Sequence, residues 1–219
     1  MDAENASLNN QSRVRIKVCG ITRLEDALSA SALGVDAVGF VFYKKSPRYI
    51  EPIKAAAIIR QLPPFVSAVG LFVNPTQDEI DAVLDYCPLG VIQLHGDESP
   101  EFCLAQQRRV MKALPIACAA DVKRVADYAC PVLLDAKAPD GIYGGTGTAF
   151  DWSVLEGLQH DYPLLLAGGL DVHNVDEALL LRNWFALDVS SGLEQSRGIK
   201  DKMKMKAFCE QVQQFACKV

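Results

Sequence analysis

Between residues 14 and 191 the chain alternates between two hydrophobic periods, and this alternation limits the possible folds more than any other feature. Short apolar, mostly β-branched or leucine-rich runs occur at VRIKVC (14–19), AVGFVF (37–42), SAVGLFV (67–73) and GVIQLH (90–95). The series continues with VMKAL (110–114), VLLDA (132–136), LLLAG (164–168) and ALDVSS (186–191). Between them lie segments of helical pattern, such as RLEDALSASALG, EPIKAAAIIRQL, TQDEIDAVLDYC and DVHNVDEALLLR. Thr76 and Asp171 read as helix N-caps, and Gly34 as the residue that stops the first helix.

Strands separated by helix-length crossovers pair in parallel, because a tight turn joins only antiparallel neighbours. Eight such units predict an all-parallel α/β sheet, and a closed (β/α)8 TIM barrel accounts for the count most simply. A doubly wound open sheet is the alternative, and periodicity does not separate the two. No internal boundary interrupts the pattern, so residues 13–219 are expected to form one domain. Half the residues are hydrophobic, enough for one sizeable core. The leading MDAENASLNNQS has neither a basic nor an apolar signal region and reads as a disordered tail over residues 1–12.

The same composition excludes several function classes. A net charge of −5 without a clustered Lys/Arg stripe argues against a nucleic-acid partner. The short basic run KDKMKMK (200–206) reads as a solvated helix face. No apolar run approaches the ~18 residues of a membrane span. The seven cysteines are scattered without a CxxC pair, and the three histidines are not grouped with them. Metal and disulfide frameworks are therefore poor readings, and reduced thiols in the cytoplasm fit better. No apolar surface stripe stands out, so a monomer is expected.

Strands buried on both faces should be nearly continuous in Val, Ile and Leu, so their polar residues are informative. Lys17 and Cys19 share a face of the first strand, and Gln93 and His95 share one on the fourth. Asp135 lies near the end of the sixth, while Asp188 and Ser190 share a face of the eighth. All fall toward the C-terminal ends of their strands, where barrels build active sites from several strands at once. Glycine-rich turns follow strands six, seven and eight: GGTG (144–147), AGGL (167–170) and SSGLE (190–194). Glycine lets backbone N–H groups approach an anion, so Gly145, Gly147, Gly168, Gly169, Ser190, Ser191 and Gly192 are candidate phosphate contacts. Ser191 and Glu194 have the spacing of a capping box for a short extra helix. KAPDGIYGGTGTAF (137–150) is the longest candidate loop.

Taken in order, KVCGIT, GFVFYKKSPRYI, GLFVN, IQLHGDE, LLDAK…GGTGTAFDW, LLLAGGL and DVSSGLE…GIKD resemble the phosphoribosylanthranilate isomerase family of tryptophan biosynthesis. The resemblance runs from about residue 13 to the C-terminal helix. It implies a (β/α)8 barrel without metal or organic cofactor, acting on a small phosphorylated sugar–anthranilate. The implied reaction opens the ribose ring of N-(5-phosphoribosyl)anthranilate and yields 1-(2-carboxyphenylamino)-1-deoxyribulose 5-phosphate. By resemblance, Cys19 is the general base, Asp135 the general acid and Arg48 the partner of the anthranilate carboxylate.

This chemistry needs one group to protonate the ring oxygen and another to remove the C2 proton. The acid must hold its proton at neutral pH, and Asp135 directly follows the apolar VLL. The base must be a thiolate, and Lys17 lies one same-face step of about 7 Å from Cys19. The expectation is a Cys19 that alkylates well below pH 8; alternatively, Lys17 points to a rim carboxylate. His95 reads as a hydrogen-bonding wall of the site. Asp188 either orients sugar hydroxyls or holds the loop at Ser190–Gly192. Rival functions are a sister phosphosugar barrel enzyme and a non-catalytic phosphate-ligand sensor. The pairing of Cys19 with Asp135 argues against both.

Overall fold

A computed structural model describes residues 13–137 and 150–216. Eight strands form one closed barrel: β1 (Arg15–Val18), β2 (Ala37–Val41), β3 (Ser67–Phe72), β4 (Val91–Leu94), β5 (Arg109–Ile116), β6 (Val132–Ala136), β7 (Leu164–Leu166) and β8 (Ala186–Val189). Every neighbouring pair is parallel, and closure comes from β1 against β8, with Lys17 opposite Asp188. The open sheet is thereby excluded, and each of the eight runs expected from sequence lands on its strand.

Helices cover the outside: α1 (Leu24–Ala32), α2 (Pro52–Ile59), α3 (Gln77–Leu84), α4 (Pro100–Leu104), α5 (Ala119–Lys123), α6 (Val175–Leu181) and α7 (Lys202–Ala216). Thr76 caps α3 in a full capping box with Glu79, and Gly34 follows α1 at φ +80°. Asp171 does not cap α6, whose N-cap position is Asn174. The Asp171 carboxylate instead accepts from the backbone of His173 at 2.7 Å, closing a turn ahead of the helix.

Two further expectations fail at the end of the barrel. Ser191 and Glu194 form no capping box. A 3-10 turn spans Ser191–Leu193, and Glu194 opens a two-stranded ribbon of β9 (Glu194–Ser196) and β10 (Ile199–Lys200). The Glu194 carboxylate binds Arg48 and Lys200, which are stronger partners than a backbone N–H. The run 200–206 is likewise not one solvated face, because Lys200 is 2% exposed and sits in β10. The crossover after β6 also differs from the helical expectation. Among the described residues it carries only a 3-10 turn at Trp152–Leu155.

The barrel interior is packed with Val69, Met111, Ala113, Leu133, Leu165, Ala167 and Ala186. Above this plug a separate apolar group of Cys19, Val41 and Leu71, with Tyr43 and Val73, lines the C-terminal mouth. The fold thus closes the pore and leaves a shallow, half-apolar bowl. Among the described residues no helix is long and apolar enough to cross a membrane.

Candidate active site

The bowl is lined by Cys19 directly after β1, Tyr43 and Lys45 to Arg48 after β2, Gln93 from β4 and His95 directly after it, Asp135 from β6, and the turns after β7 and β8. Strand alternation explains the choice. Residues 17 and 19, 93 and 95, 133 and 135, and 186 and 188 all point inward, and the last of each pair lies uppermost.

Lys17 reaches two groups. Its Nζ donates to Asp188 Oδ1 at 2.8 Å, the rim-carboxylate orientation considered from sequence, and its charge also acts on the nearby Cys19 thiol. Burial works against the ammonium, but Asp188 and Cys19 hold its pKa above the ordinary lysine value. At Cys19 burial pushes the thiol above the ordinary cysteine value, with help from Asp188. Lys17 and Lys200 pull the other way without prevailing. The expected low-pH thiolate is therefore corrected: in the free site desolvation of the thiolate outweighs its cationic neighbour. Space for this pair comes from Gly39, where a Cβ would lie 2.8 Å from Cys19 Sγ and 3.2 Å from Lys17 Nζ.

Across the bowl, Asp135 is held at both oxygens. Oδ1 accepts from the Ala136 N–H and Oδ2 lies 2.9 Å from His95 Nε2. The other ring nitrogen of His95 meets Gln93 Nε2 at 2.9 Å. Gly168 seals this side. At φ +83° it packs against Ala136 so closely that any Cβ would collide with that residue's backbone.

Arg48 is buried, and its Nε and Nη2 form a bidentate pair with Glu194 at 2.7 and 2.8 Å. Burial would raise Glu194, but Arg48 and Lys200 hold its carboxyl below the usual range. Arg48 Nη1 has no hydrogen-bond partner among the described residues. Gly168, Gly169, Ser190 and Ser191 line the bowl. Gly192 does not; it presses on the Leu170 carbonyl and seats the β8 turn on the β7 turn. Gly145 and Gly147 lie outside the described residues. The Ser190 hydroxyl donates to the Cys19 carbonyl, tying the end of β8 to that of β1.

Several supporting residues escaped the sequence reading. Lys112, fully buried in β5, donates to the carbonyls of Leu94 and Gly96 and to Glu98, and so brackets His95. Its signal was a lysine within the buried run VMKAL. Glu194 and Lys200 were visible only as a polar turn and a basic run; nothing local announced that they meet Arg48, 146 residues from Glu194.

A sequence model of the family described as "N-(5'phosphoribosyl)anthranilate (PRA) isomerase" matches residues 16–211. The N-(5'-phosphoribosyl)anthranilate isomerase of Pseudomonas paraeruginosa is 51% identical over 203 residues, covering 91% of this chain and 95% of that protein. The crystal structure of phosphoribosyl anthranilate isomerase from Thermotoga maritima superposes with a TM-score of 0.86 at 45% identity, covering 92% and 99% of the two chains. Another isomerase structure holds reduced 1-(o-carboxyphenylamino)-1-deoxyribulose 5-phosphate. It superposes at 0.83 with 42% identity, over 92% of this chain and 99% of that one.

Proposed function

We infer the division of labour in this site from one premise: the chain belongs to the N-(5'-phosphoribosyl)anthranilate isomerase family. It catalyses the Amadori rearrangement of N-(5-phosphoribosyl)anthranilate in tryptophan biosynthesis. In our reading, Asp135 is the general acid and Cys19 the general base. The observation that carries this reading is that a carboxyl from β6 and a thiol from β1 line one bowl.

Asp135 gives a proton to the ring oxygen as the C1–O bond breaks, and the anthranilate nitrogen lone pair forms C1=N. Cys19, as thiolate, then removes the C2 proton, and the C–H electrons form C1=C2 while nitrogen recovers its pair. The resulting enol-amine ketonises: the C2 hydroxyl loses its proton and C1 gains one. One proton then returns from the thiol to Asp135 through solvent, restoring the enzyme. A thiol that keeps its proton in the free site becomes the thiolate by this same passage of its proton through solvent to Asp135, and Lys17 and Lys200 stabilise the thiolate as it forms.

Arg48 offers Nη1 to the anthranilate carboxylate while Glu194 fixes the rest of its guanidinium. Val41, Leu71 and Val73 supply an apolar wall for the aromatic ring. The backbone N–H groups at Gly168–Gly169 and Ser190–Ser191 receive the phosphate; His95 and Asp188 orient the sugar hydroxyls. A monomer is the assembly we propose. The six described cysteines are free, which supports the cytoplasm as its compartment. Purified protein mixed with phosphoribosylanthranilate tests the reading: anthranilate-type fluorescence is expected to disappear. Unchanged fluorescence at high enzyme concentration overturns it. Sedimentation tests the monomer.

A further inference from the structure

Gln93 is fully buried beneath the bowl, and its two amide atoms are treated differently. Nε2 lies 2.9 Å from His95 Nδ1, whereas Oε1 is buried with no hydrogen-bond partner. An amide donor at Nδ1 requires that nitrogen to be bare, so the neutral ring carries its proton on Nε2 and donates to the Asp135 carboxylate. That is the arrangement of an acid that has already given up its proton. The loaded acid needs the opposite: a proton on Nδ1, and a bare Nε2 accepting from the Asp135 carboxyl. A half-turn of the Gln93 amide supplies it, because Oε1 then replaces Nε2 and accepts from Nδ1–H.

We propose that Gln93 is a positioning residue with two amide settings, Nε2 toward His95 when the His95–Asp135 pair lacks its transferable proton and Oε1 toward His95 when the pair carries it. The proposal rests on the reading of Asp135 as the acid. No co-reactant is needed. Loading takes one proton from solvent, and turnover passes that proton to the ring oxygen. Other charged or titratable groups face this chain of contacts. Cys19 from β1 and Asp188 from β8, with its Lys17 partner, stand across the bowl. Tyr43, Lys45 and Arg48 follow β2. Lys112 and Glu98 lie behind β4. The nearest strand neighbours of Gln93, Leu71 and Met111, are apolar, so its amide has His95 as its one hydrogen-bonding partner among the described residues.

The test compares Gln93→Glu and Gln93→Met with wild type by 15N resonances of labelled histidine and by kcat against pH. In wild type the His95 Nδ1 signal is expected to change from bare to protonated as pH falls through the alkaline decline of kcat. In Gln93→Glu, a carboxylate facing Nδ1 should keep that nitrogen protonated and move the decline upward by at least about one pH unit. Gln93→Met should lower kcat at least about tenfold while KM stays within about threefold. A wild-type Nδ1 signal that never changes across the decline overturns the proposal, even if neither variant folds. Unaltered pH profiles in both variants also overturn it. An inactive Asp135→Asn together with either result leaves the acid assignment standing; an active Asp135→Asn removes that assignment instead.

Discussion

Lys17 and Asp188 sit opposite one another where the first and last strands close the barrel, and Lys17 Nζ donates to Asp188 Oδ1 at 2.8 Å with both side chains buried. The contact that completes the fold is therefore also the one that sets the charge around Cys19. Removing either partner alone strands a buried charge, at a cost of about 3–5 kcal/mol. The informative variant removes both.

The double variant Lys17→Met, Asp188→Asn should fold, yet its Cys19 should alkylate with iodoacetamide only at higher pH than in wild type. Burial already raises the thiol, and Lys17 is the larger of the two opposing charge effects. The alkylation rate against pH measures this directly. A curve unmoved or moved downward would show that Lys17 does not support the thiolate.

Glu194 links stability to pH. Its folded pKa lies below the ordinary value of 4.5 because Arg48 and Lys200 outweigh burial. A depressed carboxylate pKa contributes stability that is fully present above the unfolded value and is lost as pH falls through the folded one. Glu194→Gln should thus cost about 3 kcal/mol in urea unfolding at pH 7. The gap to wild type should narrow as pH drops below 4.5. A gap constant from pH 7 to pH 3 contradicts the pairing.

Gly39→Ala tests the crowding around the thiol. Its Cβ would stand 2.8 Å from Cys19 Sγ, so the thiol must move. The expected outcome is a fall in kcat of at least about tenfold with a stability loss of only about 1–3 kcal/mol. Wild-type turnover in a folded Gly39→Ala variant would mean that the thiol position is not critical.

Much of this site was legible in the sequence because period-two alternation puts Lys17 and Cys19 on one face, and sets Asp135 and His95 at strand ends. Those are local facts, and a barrel converts them into one rim. What stayed hidden depends on long-range partners. Glu194 has capping-box spacing, but a guanidinium and an ammonium from elsewhere claim its carboxylate. Asp171 has N-cap chemistry, yet its helix begins three residues later, behind a turn the carboxylate itself closes. The raised pKa of the Cys19 thiol has the same origin: one neighbouring cation is visible in RIKVCGIT, whereas burial by the assembled barrel is not.

The central claim is that Cys19 and Asp135 divide one proton transfer each across the same bowl. It is tested most directly by the turnover of Cys19→Ser and Asp135→Asn on phosphoribosylanthranilate, followed as loss of substrate fluorescence. Each should fall at least ~10²-fold below wild type while remaining folded. Wild-type turnover in either variant would contradict the account and pass that proton to another group.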